Sequence, residues 1–494
     1  MNDIKSTNQL KVAIIGAGIA GLATSIRMAC RGYEVDIYEG NAFPGGKLSE
    51  ISLGDYRFDA GPSLFTMPSY VEALFELAQV PIEEYFKYER LDIVCNYFWE
   101  DGTQISAYAD PTMLAAELHH KLKVDPEVVN RILTDSQRKY DICGEIFLEK
   151  SLHKLSTWLQ PKILRAMVLI PTLDLFKSMH KVNSRITDNP KLIQLLNRYA
   201  TYNGSNPYKA PGLLTIIPHF EYNIGAFVPH GGMHQITQSL FELAKMKGVR
   251  FHFNTSVQRI NLEDDCARGI SINEKILSYD KVVSNMDVYS TYKKLLPHEN
   301  HPERTLAQER STSAVIFYWG IKQKFDSLDV HNILFSENYQ EEFKTLELKS
   351  IYHDPTVYIN ISKKYVAEDA PSGCENWFVM VNSPHRAGQN WDKLIAETRN
   401  NIIAKINRIL KVDIESLIVV ESLLDPRTIE SRTSSHLGAL YGSSSNDKMA
   451  AFMRHANFSS KIKDLYFCGG SVHPGGGIPL CLLSAKIVDE IMHE

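Results

Sequence analysis

The chain has 494 residues, 44% hydrophobic and 22% charged, which excludes a disordered polymer and calls for more than one core. A net charge of -5 excludes a general nucleic-acid binder, because neutralising phosphates takes a basic excess. Seven cysteines (Cys30, Cys95, Cys143, Cys266, Cys374, Cys468 and Cys481) are scattered without a CxxC pair, against a disulfide framework and against a metal site. The opening MNDIKSTNQL lacks an apolar signal core, so a cytoplasmic location is expected.

The first element is a strand, Val12 to Ile15, an apolar β-branched run of the kind buried in parallel sheets. Gly16, Gly18 and Gly21 follow as GxGxxG. Gly16 permits the sharp turn, Gly18 lets backbone approach a pyrophosphate, and Gly21 lets the next helix pack against the strand. Ile19 and Ala20 open that helix, whose N-terminus faces the phosphates. A second strand, Glu34 to Tyr38, ends at Glu39 and Gly40, where an acid accepts hydrogen bonds from an adenosine ribose. A dinucleotide site on a Rossmann-like α/β domain is the expectation.

The next segment, NAFPGGKLSE, carries Gly45, Gly46 and Lys47. This arrangement resembles the extended fingerprint of the flavoprotein superfamily of amine oxidases, phytoene desaturases and Rab GDP-dissociation inhibitors. The resemblance implies FAD, with the Gly-Gly-basic segment beside the pyrophosphate and ribityl chain. Lys47 stands where Arg is commoner, keeping the charge and losing the bidentate fork. YRFDAGPSLF continues the likeness toward the isoalloxazine end through Gly61, Pro62 and Ser63.

Trp158 to Phe176 is the most apolar stretch, yet Lys162, Arg165 and Pro171 interrupt it, so no helix is expected to span a bilayer. It reads equally as a core helix or as a segment lying on a membrane. An aromatic strand from Phe220 to Val228 is expected next, then the turn Pro229-His230-Gly231-Gly232, a helix from Met233 to Lys245 and a strand from Val249 to Val257. The superfamily pattern implies that the backbone of Val257 meets the adenine. The segment with Asn285 and Asp287 resembles the desaturase pattern that returns the chain to the FAD domain.

Near the C-terminus, DLYFCGGSVHPGGGIPLCLLSAK reads as a strand from Leu465 to Cys468, two glycine loops and a helix. Gly470 and Ser471 are expected at the ribityl end, and Gly477, Ile478 and Pro479 at the flavin ring, where a helix N-terminus favours reduced flavin. HPGGGIP followed by SAK resembles the signature of bacterial phytoene-desaturase-type carotenoid desaturases. Together with SAVIFYWG and GQNWD it looks closer to the hydroxycarotenoid 3,4-desaturases than to phytoene desaturases, which often read HPGAGIP.

The implied organisation is α/β. Residues 1-90, 215-295 and 420-494 form a discontinuous FAD-binding domain, interleaved with an α+β substrate domain of residues 91-214 and 296-419 that touches the membrane. The implied partners are a carotenoid, the inner-membrane surface and a quinone or oxygen as electron acceptor. The implied chemistry removes a hydride and a proton from adjacent CH2 groups, with flavin accepting the hydride. Activation by the neighbouring polyene makes a strong protein base less necessary, so no acid or base is assigned. His230, His436 and Arg427 are weak candidates expected to face the pocket, and His473 reads as a loop support.

Aromatic runs such as STSAVIFYWG are either an oily slot for a polyene or ordinary core. Phytoene desaturation, carotenoid isomerisation and ketolation remain open, as do three other classes. These are an amine oxidase holding flavin through a cysteine near the C-terminal glycine loop, where Cys468 lies, a non-enzymatic GDP-dissociation-inhibitor-like lipid binder, and an NAD-dependent dehydrogenase.

Overall fold

The computed structural model describes residues 9–161, 163, 168–447 and 453–494. A five-stranded parallel sheet has the order Leu465–Phe467, Lys281–Ser284, Lys11–Ile15, Glu34–Tyr38, Arg250–His252. Alternation along its central strand sets its two faces. Val12 and Ile14 pack under the helices Ile19–Cys30, His234–Met246 and Ile478–His493. Ala13 and Ile15 pack under a small antiparallel sheet of Arg259–Glu263, Cys266–Ile272 and Lys275–Ser278. Burying an aliphatic side chain contributes roughly 1.5–3 kcal/mol, so covering both faces is what makes this short sheet stable.

A second sheet has seven strands in the order Ile418–Leu424, Ser313–Ile321, Glu375–Ser383, Val357–Asn360, His331–Leu334, Ile93–Phe98, Gln104–Tyr108. Every pairing is antiparallel except His331–Leu334 with Ile93–Phe98. The run SAVIFYWGI is buried throughout, yet its period of two divides it. Val315, Phe317, Trp319 and Ile321 pack with Trp377, Val379 and Ile402, the last from the helix Trp391–Leu410. Ala314, Ile316 and Tyr318 pack with Phe58 and Phe378 on the opposite face. A third layer of helices, including Pro111–Leu122, Pro126–Glu149, Met179–Ile186 and Pro190–Asn197, surrounds a core shared with Tyr97 and Phe335.

Two expected strands need correction. The aromatic strand Phe220 to Val228 is instead a helical turn, His219–Ile224, followed by the short strand Phe227–Pro229. Its aromatic content reflects burial around a turn that carries the Glu221 carboxylate to Arg198, not a two-residue alternation. The strand begun at Val249 ends at His252, because residues 253 to 258 leave the sheet and those from 255 on line the cavity described below. The strand Ile418–Leu424 crosses the boundary expected at 420 and pairs with Ser313–Ile321. Ile216, Ile217 and Tyr222, just after the boundary expected at 215, belong to the helical layer's core.

Candidate functional site: a dinucleotide cradle opening into an apolar slot

One cavity of about 1380 Å³ runs from the glycine loops of the parallel sheet to the open face of the seven-stranded sheet. Ordinary single-ligand pockets hold roughly 300–1,000 Å³, so this one has room for a cofactor and a second long molecule.

The cradle follows from close backbone contacts. An added Cβ on Gly21 would stand 2.2 Å from the Gly16 carbonyl oxygen, which is how the helix Ile19–Cys30 comes to lie against its strand. Gly18 and Gly45 form a parallel bridge, with the Gly45 N–H donating to Ala17 O at 2.8 Å. A Cβ on Gly61 would lie 1.8 Å from Lys47 O, so the segment through Pro62 and Ser63 is pressed against the Gly45–Lys47 loop. Asn285 N donates to Ile15 O at 2.8 Å and its Nδ2 to Cys468 O at 3.2 Å, tying the N-terminal strand end to the C-terminal loop.

Glu39 is buried at the end of its strand. Its Oε2 accepts from the Ala17 N–H at 2.8 Å, and its Oε1 accepts from Asn41 N at 2.9 Å and Asn41 Nδ2 at 2.7 Å. These donors orient a carboxylate that still has lone pairs for a diol. The first-turn N–H groups of Ile19 and Ala20 have no carbonyl one turn back and border the cavity. Such N–H groups at a helix start suit a pyrophosphate.

Of the expected cofactor positions, Gly16, Gly18, Ile19, Ala20, Glu39, Gly40, Gly45, Gly46 and Lys47 line this cavity, as do Gly61, Pro62, Ser63 and Val257. So do Gly470, Ser471, Gly477, Ile478 and Pro479 from the C-terminal loops, while Gly21 sits behind the cradle. Lys47 Nζ donates to Leu440 O at 2.7 Å, and burial lowers its pKa despite the nearby Asp287. Arg454, not singled out in the sequence, donates to Tyr441 O, Gly470 O and Ser443 O, pinning the loop before the last helix. Burial brings its pKa down to about 10.

The three weak catalytic candidates, expected to face the pocket, lie away from the cavity wall. His230 is exposed on its turn and off the cavity wall. His436 stacks on Tyr289 with ring centres 3.5 Å apart, also off the wall, and burial draws its pKa down to about 4. Arg427 is 40% exposed and paired with Asp425 and Asp392. His473 is buried with Nε2 on the Lys150 carbonyl at 2.9 Å, a loop support. Cys468 is buried just past the strand Leu465–Phe467, which ends one residue earlier than expected, and its thiol is pushed up to about 12, an environment opposed to nucleophilic attachment.

Beyond the cradle the wall turns apolar: Ile316, Phe378, Met380 and Leu424 from the sheet, Leu213, Leu214, Ile217 and Phe220 from the helical layer. The alternation in SAVIFYWG therefore supplies both a core and a slot. Two polar clusters interrupt this wall, and apart from Ser63, expected on the cofactor side, their residues left no motif in the sequence. In one, Arg198 bonds Glu221, Tyr97 Oη and Tyr202 Oη. In the other, Tyr358 Oη lies 2.7 Å from both Ser63 Oγ and His331 Nδ1.

Residues 19–488 match the family model described as flavin containing amine oxidoreductase. The chain belongs to this family. It is an FAD-dependent oxidoreductase, which sets aside the NAD-dehydrogenase and flavin-free readings. FAD suits the cradle's paired glycine loops, helix start and ribose acid. The chain is 50% identical over 98% of its length to a 1-hydroxycarotenoid 3,4-desaturase of a Flavobacterium species, covering 99% of that protein. It is 28% identical to a phytoene desaturase of Fusarium fujikuroi, covering 99% of this chain and 90% of that one. A solved structure of putrescine oxidase with putrescine bound superimposes with a TM-score of 0.66 at 14% identity, covering 98% of this chain and 99% of that one, a likeness of fold.

Proposed function

We propose that this protein is a carotenoid desaturase that introduces a C=C bond into a 1-hydroxylated acyclic or monocyclic polyene. The observation that carries the reading is the 50% identity to a 1-hydroxycarotenoid 3,4-desaturase along essentially the whole of both chains. The shared cavity gives it a physical basis: the parallel-sheet part holds the cofactor, and the open face of the seven-stranded sheet holds the polyene. Bound FAD supplies the acceptor for the two electrons lost with the C–H bonds. The residues of the chain bind and align the polyene and exclude water, and alignment is where most of the rate arises. A quinone or oxygen is the proposed final acceptor.

The substrate is proposed to arrive from a membrane surface. Leu155, Leu159, Val168 and Phe176 are each more than two-thirds exposed, while Leu152 and Leu175 of the same region line the cavity. The part of the Trp158 to Phe176 stretch at 162 and 164–167 lies outside the described residues. No helix among the described residues is long and apolar enough to cross a bilayer.

The test offers the protein phytoene and a 1-hydroxycarotenoid in liposomes with a quinone, read by chromatography with visible absorption. A red-shifted product from the hydroxylated polyene alone is expected. Conversion of phytoene alone would move the protein to that earlier desaturation.

A further inference from the structure

We propose that Ser63, oriented by Tyr358 and His331, accepts a hydrogen bond from the substrate's tertiary hydroxyl and thereby selects hydroxylated polyenes. This rests on the desaturase reading and names the residue that would set its specificity.

The strand register creates the arrangement. His331 faces Asn360 across the ladder and Ile333 faces Tyr358, so all four side chains share one face of the sheet, with His331, Ile333 and Tyr358 on the cavity wall. Asn360 Nδ2 donates to Val330 O at 3.0 Å, which identifies it as the amide nitrogen, and it also lies 3.3 Å from His331 Nδ1. An amide nitrogen only donates, so Nδ1 is the accepting atom of a neutral ring. The Tyr358 O–H, at 2.7 Å the closer donor, then shares the single lone pair of Nδ1 with the Asn360 amide. Tyr358 Oη is left to accept, and Ser63 Oγ, also at 2.7 Å, donates to it. At the end of this relay Ser63 Oγ keeps lone pairs and no proton to spare. The half-buried serine borders the cavity and asks for a donor.

Burial, reinforced by the charge of Arg198, draws the His331 pKa down to about 3, so the ring stays neutral and the relay keeps its direction. His331 Nε2 is buried without a partner among the described residues. An uncompensated polar atom of this kind marks a place where geometry serves something besides stability.

Position decides what the donor is. Ser63 follows Gly61, whose backbone touches Lys47 O of the cradle, so the relay ends at the junction of cofactor and substrate space, not at the far end of the slot. A 3,4-desaturation breaks C–H bonds on carbons only two and three bonds from the hydroxyl-bearing C1. The hydroxyl of such a substrate must lie beside the reacting centre, where Ser63 is. A polyene without the hydroxyl would leave Ser63 Oγ unpaired, and sites built to bond a hydroxyl reject analogues that lack it.

The experiment compares a 1-hydroxylated acyclic carotenoid with its deoxy analogue in phosphatidylcholine liposomes. It uses the FAD-loaded wild type, Ser63→Ala, Ser63→Thr and Tyr358→Phe, and measures kcat/KM and equilibrium binding by fluorescence quenching. Expected is a fall of about tenfold or more in the hydroxy-to-deoxy ratio for Ser63→Ala and Tyr358→Phe, with Ser63→Thr restoring most of it. A structural role would lower both substrates alike, and an unchanged ratio in Ser63→Ala would overturn the proposal. So would a shifted flavin spectrum with an unchanged ratio, which would give the Ser63 hydroxyl to the cofactor. Desaturation by a wild type that ignores the hydroxyl sinks the anchor alone. If no polyene is desaturated, the desaturase reading falls, and the binding ratio still decides whether Ser63 recognises a hydroxyl.

Discussion

A Cβ at Gly18 would come within 2.7 Å of Asn285 Oδ1 in the floor of the cradle. Gly18→Val therefore puts a branched side chain where both Asn285 and a pyrophosphate need the space, and the purified variant should be colourless, a loss of at least a hundredfold in FAD affinity by visible titration. A yellow variant with ordinary affinity would refute the assignment of this loop. Residues of this kind were legible in the sequence because a close backbone approach admits only glycine, and a ribose needs an acid at a fixed distance along the chain. Ser63 was legible only as a cofactor position through the family likeness, and Tyr358, His331, Arg198 and Glu221 left no such trace. They come from four separate stretches, and strand register alone brings His331 to Asn360.

At the scale of elements, neighbouring residues of the strand Glu375–Ser383 should behave as opposites. Trp377 is fully buried between sheet and helix, its Nε1 donating to Glu375 at 2.8 Å. Trp377→Ala should cost about 3–5 kcal/mol in denaturant unfolding, leaving the flavin spectrum of the folded fraction unchanged. Phe378, one residue on, faces the cavity. Phe378→Ala should raise KM for a polyene several-fold with a smaller loss of stability, and equal stability losses would contradict the two-faced sheet. The sequence showed an apolar run here and offered core or slot. Both are present, because a period of two separates them only once the helix Trp391–Leu410 is known to cover one side. The expected strand from Phe220 failed for a related reason: aromatic content marks burial, and burial alone does not tell a strand from a helical turn.

At the scale of the molecule, several histidines are held neutral by burial: His331 down to about 3, and His436, His455 and His473 down to about 4, from an ordinary 6.5. The unfolded chain protonates these rings first as pH falls, so it binds more protons between about 6.5 and 4 and stability drops there. Their contribution is fully present above 6.5. The melting temperature should thus decline steadily from pH 7 to pH 4, and a flat profile would count against the buried neutral rings. On the outer surface, Leu159→Asp with Phe176→Asp should reduce liposome binding about tenfold or more and leave flavin content intact. Full retention on liposomes would remove this face as the membrane contact.

If one cavity serves cofactor and polyene together, anaerobic mixing must change both chromophores at once. FAD-loaded protein is mixed, without oxygen or quinone, with one equivalent of a liposome-borne 1-hydroxycarotenoid, and both chromophores are followed. The expected result is bleaching of the oxidised flavin band in step with a red shift of the polyene, one flavin reduced per double bond formed. A polyene that binds while the flavin stays oxidised would contradict a cavity shared by flavin and polyene.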